Sequence, residues 1–308
     1  MCTNTQSVEP TVVNNHYHTH NHYVYNFNHG QAPGQPVAIP AHDHGHSHDH
    51  GHSHDHSPTN GNNEDIQRMI SPHIGQIGAN ILSANDRDAA GNRQRMRNEN
   101  ILLINLISSA GSGKTSFLER TIEALDGRLK IAVIEGDLET ERDADRIRKH
   151  GIQAYQIETG GICHLEANVV EHALSHLDTT GLDVIIIENV GNPVCPAAFD
   201  LGEDYRICML ATTEGDDKPK KYPELFRRSD LLVISKTDLI AHVPFSIEAA
   251  TKEALEINHQ LEVIEFANND PSSVDPFIDI LIDRVAKKKS HHHDHSHNHD
   301  HAHSHTHA

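Results

Sequence analysis

An apolar run, ILLINLI at 101–107, leads straight into SSAGSGKTS at 108–116, and the pattern after it turns helical. A run this continuous suits a strand buried on both faces, as strands of parallel sheets are. A glycine-rich turn between such a strand and a helix matches a phosphate-binding loop. Gly111 and Gly113 let backbone N–H groups close around phosphate oxygens without a Cβ in the way, with Ser112 between them and Ser116 in the first turn of the helix. Lys114 is positioned to reach the β- and γ-phosphates, and Thr115 to offer a hydroxyl to Mg²⁺. The helix N-terminus adds its partial positive charge. Ser108 stands where the usual GxxxxGK[ST] pattern has its first glycine.

Four further apolar runs, at 130–135, 183–188, 206–211 and 231–235, read as buried strands. Helical periodicity lies at 74–97, where Ile74, Ile77, Ile81 and Leu82 share a spacing, and at 115–125, 139–150, 164–177, 247–258 and 276–286. Strands alternating with helices predict an α/β fold, a mostly parallel sheet with helices on both faces. At the carboxyl edge of such a sheet, acidic residues near the phosphates hold Mg²⁺ or orient water. Asp137, just past the second strand in IEGD, and Glu188, closing DVIIIE, are the candidates; with Lys114 they form the expected catalytic set. SKTD at 235–238 is similar to the guanine-reading NKxD motif, which places Lys236 over the base and Asp238 on its edge, with Ser235 in place of Asn. EFANND occupies the approximate position of the usual SAK-type segment.

Most of the 30 histidines lie outside this core. One arm carries His42, His44, His46, His48, His50, His52, His54 and His56; the other carries His291, His293, His295, His297, His299, His301 and His303. Interleaved with Gly, Ser and Asp, these stretches lack the apolar residues needed to offset ordering entropy. The expected organisation is a disordered histidine-rich arm at 1–65, one nucleotide-binding domain at 66–289, and a disordered tail at 290–308. Neutral imidazoles suit nickel, copper and zinc, so the arms read as metal storage. A net charge of −19 argues against a nucleic-acid partner. No apolar run is long enough to span a bilayer, and no signal pattern opens the chain. The 4 cysteines are too sparse for a disulfide framework, which points to the cytoplasm.

Inside the core, GGICHLEA sets Cys163 beside His164, and Cys195 follows in ENVGNPVCPAAFDLGE. Two thiols and an imidazole make a soft-to-borderline site for Ni²⁺ or Zn²⁺, completed by water, another side chain or a second subunit. Cys195 trails the segment expected to sense the γ-phosphate, so metal affinity and nucleotide state are expected to be linked. Cys208, within RICMLA, reads as a small buried hydrophobe.

Taken together, NILSANDRDAAGNR, SSAGSGKTS, EGDLETERDADRI, ETGGICHLEA, IIIENVGNPVCPAAFDLGE and TEGDDKPKKYPELFRRSDLLVISKTDL resemble the hydrogenase nickel-incorporation GTPases. The resemblance covers about 74–286. It implies a P-loop GTPase of the signal-recognition-particle/MinD class, with slow Mg²⁺-dependent GTP hydrolysis and GTP-promoted homodimerisation. It also implies nickel or zinc on Cys163, His164 and Cys195 near the dimer interface, and Lys221 reaching the partner subunit's nucleotide. A small nickel metallochaperone and the [NiFe] hydrogenase large-subunit precursor are the implied partners. Of the cysteine-rich start common in that family, this chain keeps only Cys2.

Overall fold

A computed structural model describes the backbone of residues 19–20, 23–24, 63–137 and 142–293, and the side chains of 80–136 and 142–290. The storage histidines of the first arm, those from His295 onward, Cys2 and residues 138–141 lie outside the described residues. Contacts divide the chain into Met1–Asn60 and Gly61–Ala308. In the first unit, β1 (Thr19–His20) pairs antiparallel with β2 (Tyr23–Val24).

The second unit runs α1 (Asn63–Glu99), β3 (Leu102–Ser108), α2 (Lys114–Leu125), β4 (Ile131–Asp137), α3 (Arg142–Arg148), β5 (Gln153–Glu158), α4 (Ala167–Ser175) and β6 (Val184–Glu188). It continues through α5 (Cys195–Ala198), β7 (Tyr205–Ala211), α6 (Lys218–Lys221), α7 (Pro223–Arg227) and β8 (Leu231–Ser235). After a 3-10 turn (Thr237–His242) come α8 (Ile247–Ile257), β9 (Glu262–Phe266), a second 3-10 turn (Pro271–Val274) and α9 (Asp275–His293). His291 and His293, assigned from sequence to the tail, thus have helical backbone.

Seven strands form one sheet in the order β5-β4-β6-β3-β7-β8-β9, and every pairing is parallel. The apolar runs at 101–107, 130–135, 183–188, 206–211 and 231–235 became β3, β4, β6, β7 and β8, the interior of the sheet. Alternate residues of these strands feed opposite faces. Leu102, Ile104 and Leu106 join Phe117 and Leu118 of α2 and Phe277, Ile278 and Leu281 of α9 on one face. On the other, Leu103, Ile185 and Ile187 pack with Val170, Ala173 and Leu174 of α4 and Met96 of α1. Beyond them, Leu232 and Ile234 meet Ala250 and Ala254 of α8 and Phe226 of α7. The edge strands β5 and β9 were not expected, because each is buried on only part of one face and carries no continuous apolar run.

α1 departs from the expected apolar stripe. Ile81 and Leu82 stay 45% and 37% exposed, while Asn85, Ala89, Asn92 and Met96 form the buried face. Asn92 donates to the carbonyls of Ala167 and Leu201 at 2.8 and 3.0 Å. Asn85 donates to the Asp200 carbonyl at 2.7 Å and accepts from the Ala167 N–H at 2.8 Å. The helix is docked by amides reading backbone, which hydrophobic periodicity does not register. Among the described residues, no helix is long and apolar enough to cross a membrane.

Candidate nucleotide site and adjoining thiol loop

The strand order reverses at β3, so its carboxyl end opens a crevice where ligands of such sheets bind. The loop leaving β3 turns on Gly111 (φ 71°) and Gly113 (φ 99°), in the left-handed region that glycine enters freely. Gly113 caps α2, and the first turn of that helix has N–H groups free for an anion. Ser112 is buried; its hydroxyl donates to the Ser109 carbonyl at 3.0 Å and pairs with the hydroxyl of Ser108. Ser108 therefore braces the loop from the position where the usual motif has glycine. Ser109 bonds to the Glu214 carboxylate, which also accepts from the Ala211 N–H at 3.1 Å, tying the loop to the end of β7. A second tie comes from β8: the fully buried Ser235 hydroxyl donates to the Ser112 carbonyl at 2.7 Å.

Lys114 and Thr115 begin α2 with side chains turned into the protein. Thr115 Oγ1 donates to Glu188 Oε1 at 3.0 Å, and Lys114 Nζ stands 3.9 Å from the same oxygen. Directly across the β4–β6 pairing, Glu135 is the register partner of Glu188. Both carboxyls are buried, and among the described residues Glu135 Oε1 and Glu188 Oε2 have no hydrogen-bond partner beyond what the two carboxyls share with each other. Burial first, then the charge of Glu188, holds the Glu135 carboxyl well above the usual carboxylate range. Burial also raises Glu188, against the opposing pull of Lys114 and Thr115.

Asp137 is the candidate in the sequence, and Glu135 is the acid that the fold buries against Glu188. The available signal was strand period: two residues apart, they share a face of β4. Asp137 ends β4 opposite Glu158 of β5, and its side chain lies outside the described ones. Ser116 Oγ accepts from Arg146 at 3.3 Å, a guanidinium also bonded to Glu119 at 3.1 Å. Lys236 has left-handed backbone (φ 59°), and its carbonyl accepts from the Thr212 hydroxyl at 2.7 Å. Asp238 is exposed in the 3-10 turn that follows. Lys221, exposed on α6, pairs with Asp217 of its own chain at 2.6 Å.

Beyond β5 the chain turns on Gly160 (φ 59°) and Gly161 (φ 93°) to present Cys163, exposed, and His164. Cys195, half-buried, starts α5. The two thiols are neighbours: a hydrogen bond with Cys195, ahead of burial, pushes the Cys163 thiol up. Cys163 Sγ lies 3.7 Å from His164 Nδ1. The His164 ring stacks on Phe199 with 4.0 Å between centroids, and its Nε2 lies 3.7 Å from Glu166 Oε1, beyond hydrogen-bond distance, with no closer partner among the described residues. Burial lowers the His164 pKa, favouring the neutral imidazole that binds metals. Among the described residues no set of three or more His, Cys, Asp or Glu side chains stands ready to hold a metal ion, so Cys163 meets His164 and Cys195 pairwise but the three do not form the ligand set expected from the sequence. Cys208 is fully buried in β7, with its thiol pushed up to about 12 by burial.

Two close contacts join the phosphate loop to the thiol loop. Gly191, beyond Glu188, packs so tightly that an added Cβ would lie 2.8 Å from Ala110 Cα. Its neighbour Asn192 donates to the Cys163 carbonyl at 3.2 Å. From the other side, Leu165 packs on Gly136 of β4, where a Cβ would meet Leu165 Cδ1 at 2.9 Å.

A parallel sheet whose central strand feeds a glycine loop and a Lys-Thr helix start, faced by a buried strand-end glutamate, defines a P-loop nucleotide-binding protein. The family model for the CobW/HypB/UreG nucleotide-binding domain matches residues 102–265. The chain belongs to this family and, within it, stands among the hydrogenase maturation factors called HypB. It is 52% identical to the HypB of Azotobacter vinelandii over 189 residues, 61% of this chain and 62% of that protein. It therefore spans less than two thirds of that relative's length. With the HypB of Rhizobium leguminosarum bv. viciae the identity is 44% over 209 residues, 68% of this chain and 70% of the relative. The crystal structure of Helicobacter pylori HypB in complex with nickel superposes with a TM-score of 0.64 at 38% identity, covering 66% of this chain and 96% of that one. Archaeoglobus fulgidus HypB gives 0.63 at 39% identity, covering 66% and 100%.

Proposed function

We propose that this protein is a GTP-hydrolysing nickel metallochaperone of the cytoplasm. It gates delivery of nickel into the [NiFe] hydrogenase large-subunit precursor, working with a small nickel metallochaperone, and its histidine arms store the metal. The observation that carries the reading is the short path from the phosphate loop, through Gly191 on Ala110 and Asn192 on the Cys163 carbonyl, to a paired thiol. A γ-phosphate that moves the segment after Glu188 must also move a side chain touching the metal loop. Metal grip then follows nucleotide state.

In this reading Gly111, Ser112, Gly113 and Ser116 wrap the phosphates, Lys114 neutralises their charge, and Lys236 and Asp238 take the guanine. The donors beside Thr115 are all oxygen, and among the described residues Glu188 Oε2 is buried with no partner beyond the Glu135 carboxyl, a set that suits Mg²⁺. Thr115, Glu188 and Asp137 would hold that ion, which when bound supplies positive charge to the β- and γ-oxygens. Nickel is the cargo, with zinc as the competing ion, taken by Cys163, His164 and Cys195. Two subunits complete its shell, and Lys221 leaves Asp217 for the nucleotide of the partner. Both thiols must lose protons to bind metal, so loading releases acid.

Multiple-turnover hydrolysis of GTP, with Lys114→Ala as control, tests the enzyme. A rate at least about 10²-fold lower in the variant is expected, and equal rates overturn the reading. Binding of ATP as tight as GTP removes the guanine assignment. A urease client is favoured by one observation: a Helicobacter pylori relative, 40% identical over 217 residues, is named a hydrogenase/urease maturation factor. Loss of urease alone in a deletion strain would reassign the client.

A further inference from the structure

A histidine pair outside both loops remains unused by this function. α4 reads ANVVEHALS and is capped by His176, so His172 and His176 stand four positions apart on one exposed helix face. Residues at that spacing lie one above the other on a helix surface, the placement by which two imidazoles chelate a single ion. Here the rings already touch, with centroids 4.5 Å apart.

The orientation of His176 is set by its surroundings. Its Nδ1 lies 2.9 Å from the His172 carbonyl, at the end of the helix where carbonyls lack intrahelical partners. With the Nδ1 proton donated there, Nε2 carries the free lone pair. A ligating histidine with its other N–H on a carbonyl is the arrangement that fixes tautomer and ring direction in metal sites. Tyr155 of β5 packs on the same imidazole, centroids 5.0 Å apart and planes 30° apart. The helix C-terminus adds partial negative charge, which favours a cation.

We propose that His172 and His176 form a second metal site, taking one borderline divalent ion: nickel, zinc or copper. Neutral imidazole selects these ions over magnesium and calcium. Two protein ligands leave the rest of the shell to water, so the ion exchanges readily. The site is distinct from the thiol loop: Cys163 and His164 precede the start of α4, and the rise from Ala167 to His172 is roughly 7.5 Å at 1.5 Å per residue. It does not depend on nucleotide binding or on the client enzyme.

The test uses the full chain, because histidines can be read one by one. Diethyl pyrocarbonate modifies exposed imidazoles, and peptide mass spectrometry reports the rate at each. Zinc chloride, and separately nickel chloride, is raised until the arm histidines are protected and then beyond. His242 and His259, both exposed, serve as internal controls. At free metal about ten times the dissociation constant, His172 and His176 should react roughly tenfold more slowly, since only the metal-free fraction reacts. In His172→Gln, His176 should return to the rate of the controls, and His172 likewise in His176→Gln. Both positions are on the surface, so the fold tolerates the changes. Reaction of the pair at the control rate at every metal concentration overturns the proposal. So does protection of His176 that survives His172→Gln.

Discussion

The Asn192 side chain donates a hydrogen bond to the Cys163 carbonyl at 3.2 Å, joining the segment beyond Glu188 to the loop that carries the thiol. Its own carbonyl oxygen accepts from the Val194 N–H at 2.9 Å, just before Cys195. One amide thus holds both cysteine-bearing segments.

Asn192→Ala should uncouple metal from nucleotide. Wild-type nickel affinity should differ between the GDP and GTP-analogue forms by about 5–150-fold, the usual range of a site–site coupling. In the variant that ratio should fall toward one, while stability drops by about 1 kcal/mol. Thiolate-to-nickel charge-transfer absorbance isolates the cysteine site from the imidazole arms. An unchanged ratio would show that the coupling runs elsewhere.

Gly191→Ala should damage the phosphate loop from outside it. The new Cβ would sit 2.8 Å from Ala110 Cα and 2.9 Å from its Cβ, so backbone must yield. A loss of about 1–3 kcal/mol in thermal or urea unfolding is expected, with nucleotide affinity down about tenfold or more. Wild-type affinity in titrations with a fluorescent nucleotide would contradict this.

Ser235 and Asp238 should separate phosphate binding from base selection. Ser235→Ala strips the buried Ser112 carbonyl of its 2.7 Å donor, at a cost of about 1–3 kcal/mol. Affinities for GTP and ATP should fall together. Asp238→Asn should weaken GTP while leaving ATP unchanged. Competition titrations of both variants distinguish the two roles, and a base-specific effect of Ser235→Ala would reverse the assignment.

Glu135 should make ligand-free stability depend on pH. Its folded pKa lies above the unfolded value, so folding favours the protonated form. That contribution is fully present below the unfolded pKa and is lost as pH rises through the folded one. Glu135→Gln keeps the neutral shape at all pH values. Its melting temperature should match wild type in mild acid and exceed it increasingly toward neutrality. A difference that does not vary with pH would mean Glu135 already folds ionised.

Much of the architecture is legible in the sequence. Parallel strands covered on both faces must be apolar throughout, so the interior strands β3, β4, β6, β7 and β8 announce themselves. The phosphate loop is equally plain, because its chemistry demands glycine, lysine and a hydroxyl residue at fixed local spacing. Edge strands β5 and β9 were not legible, since half-exposed strands obey no such demand. The buried face of α1 escaped for a related reason: Asn85 and Asn92 look like surface residues until the carbonyls they satisfy are in place.

Local sequence by itself determined the interior strands, the phosphate loop and the residue types available for metal, because each is written within a few consecutive positions. Only the tertiary structure decided which distant groups meet. It set Glu135 opposite Glu188 through strand register, Gly191 against Ala110 through packing, and Cys163 beside Cys195 across two loops. Such pairings depend on how strands order themselves in the sheet, and that order is settled by burial of the whole core, which no short stretch of chain encodes.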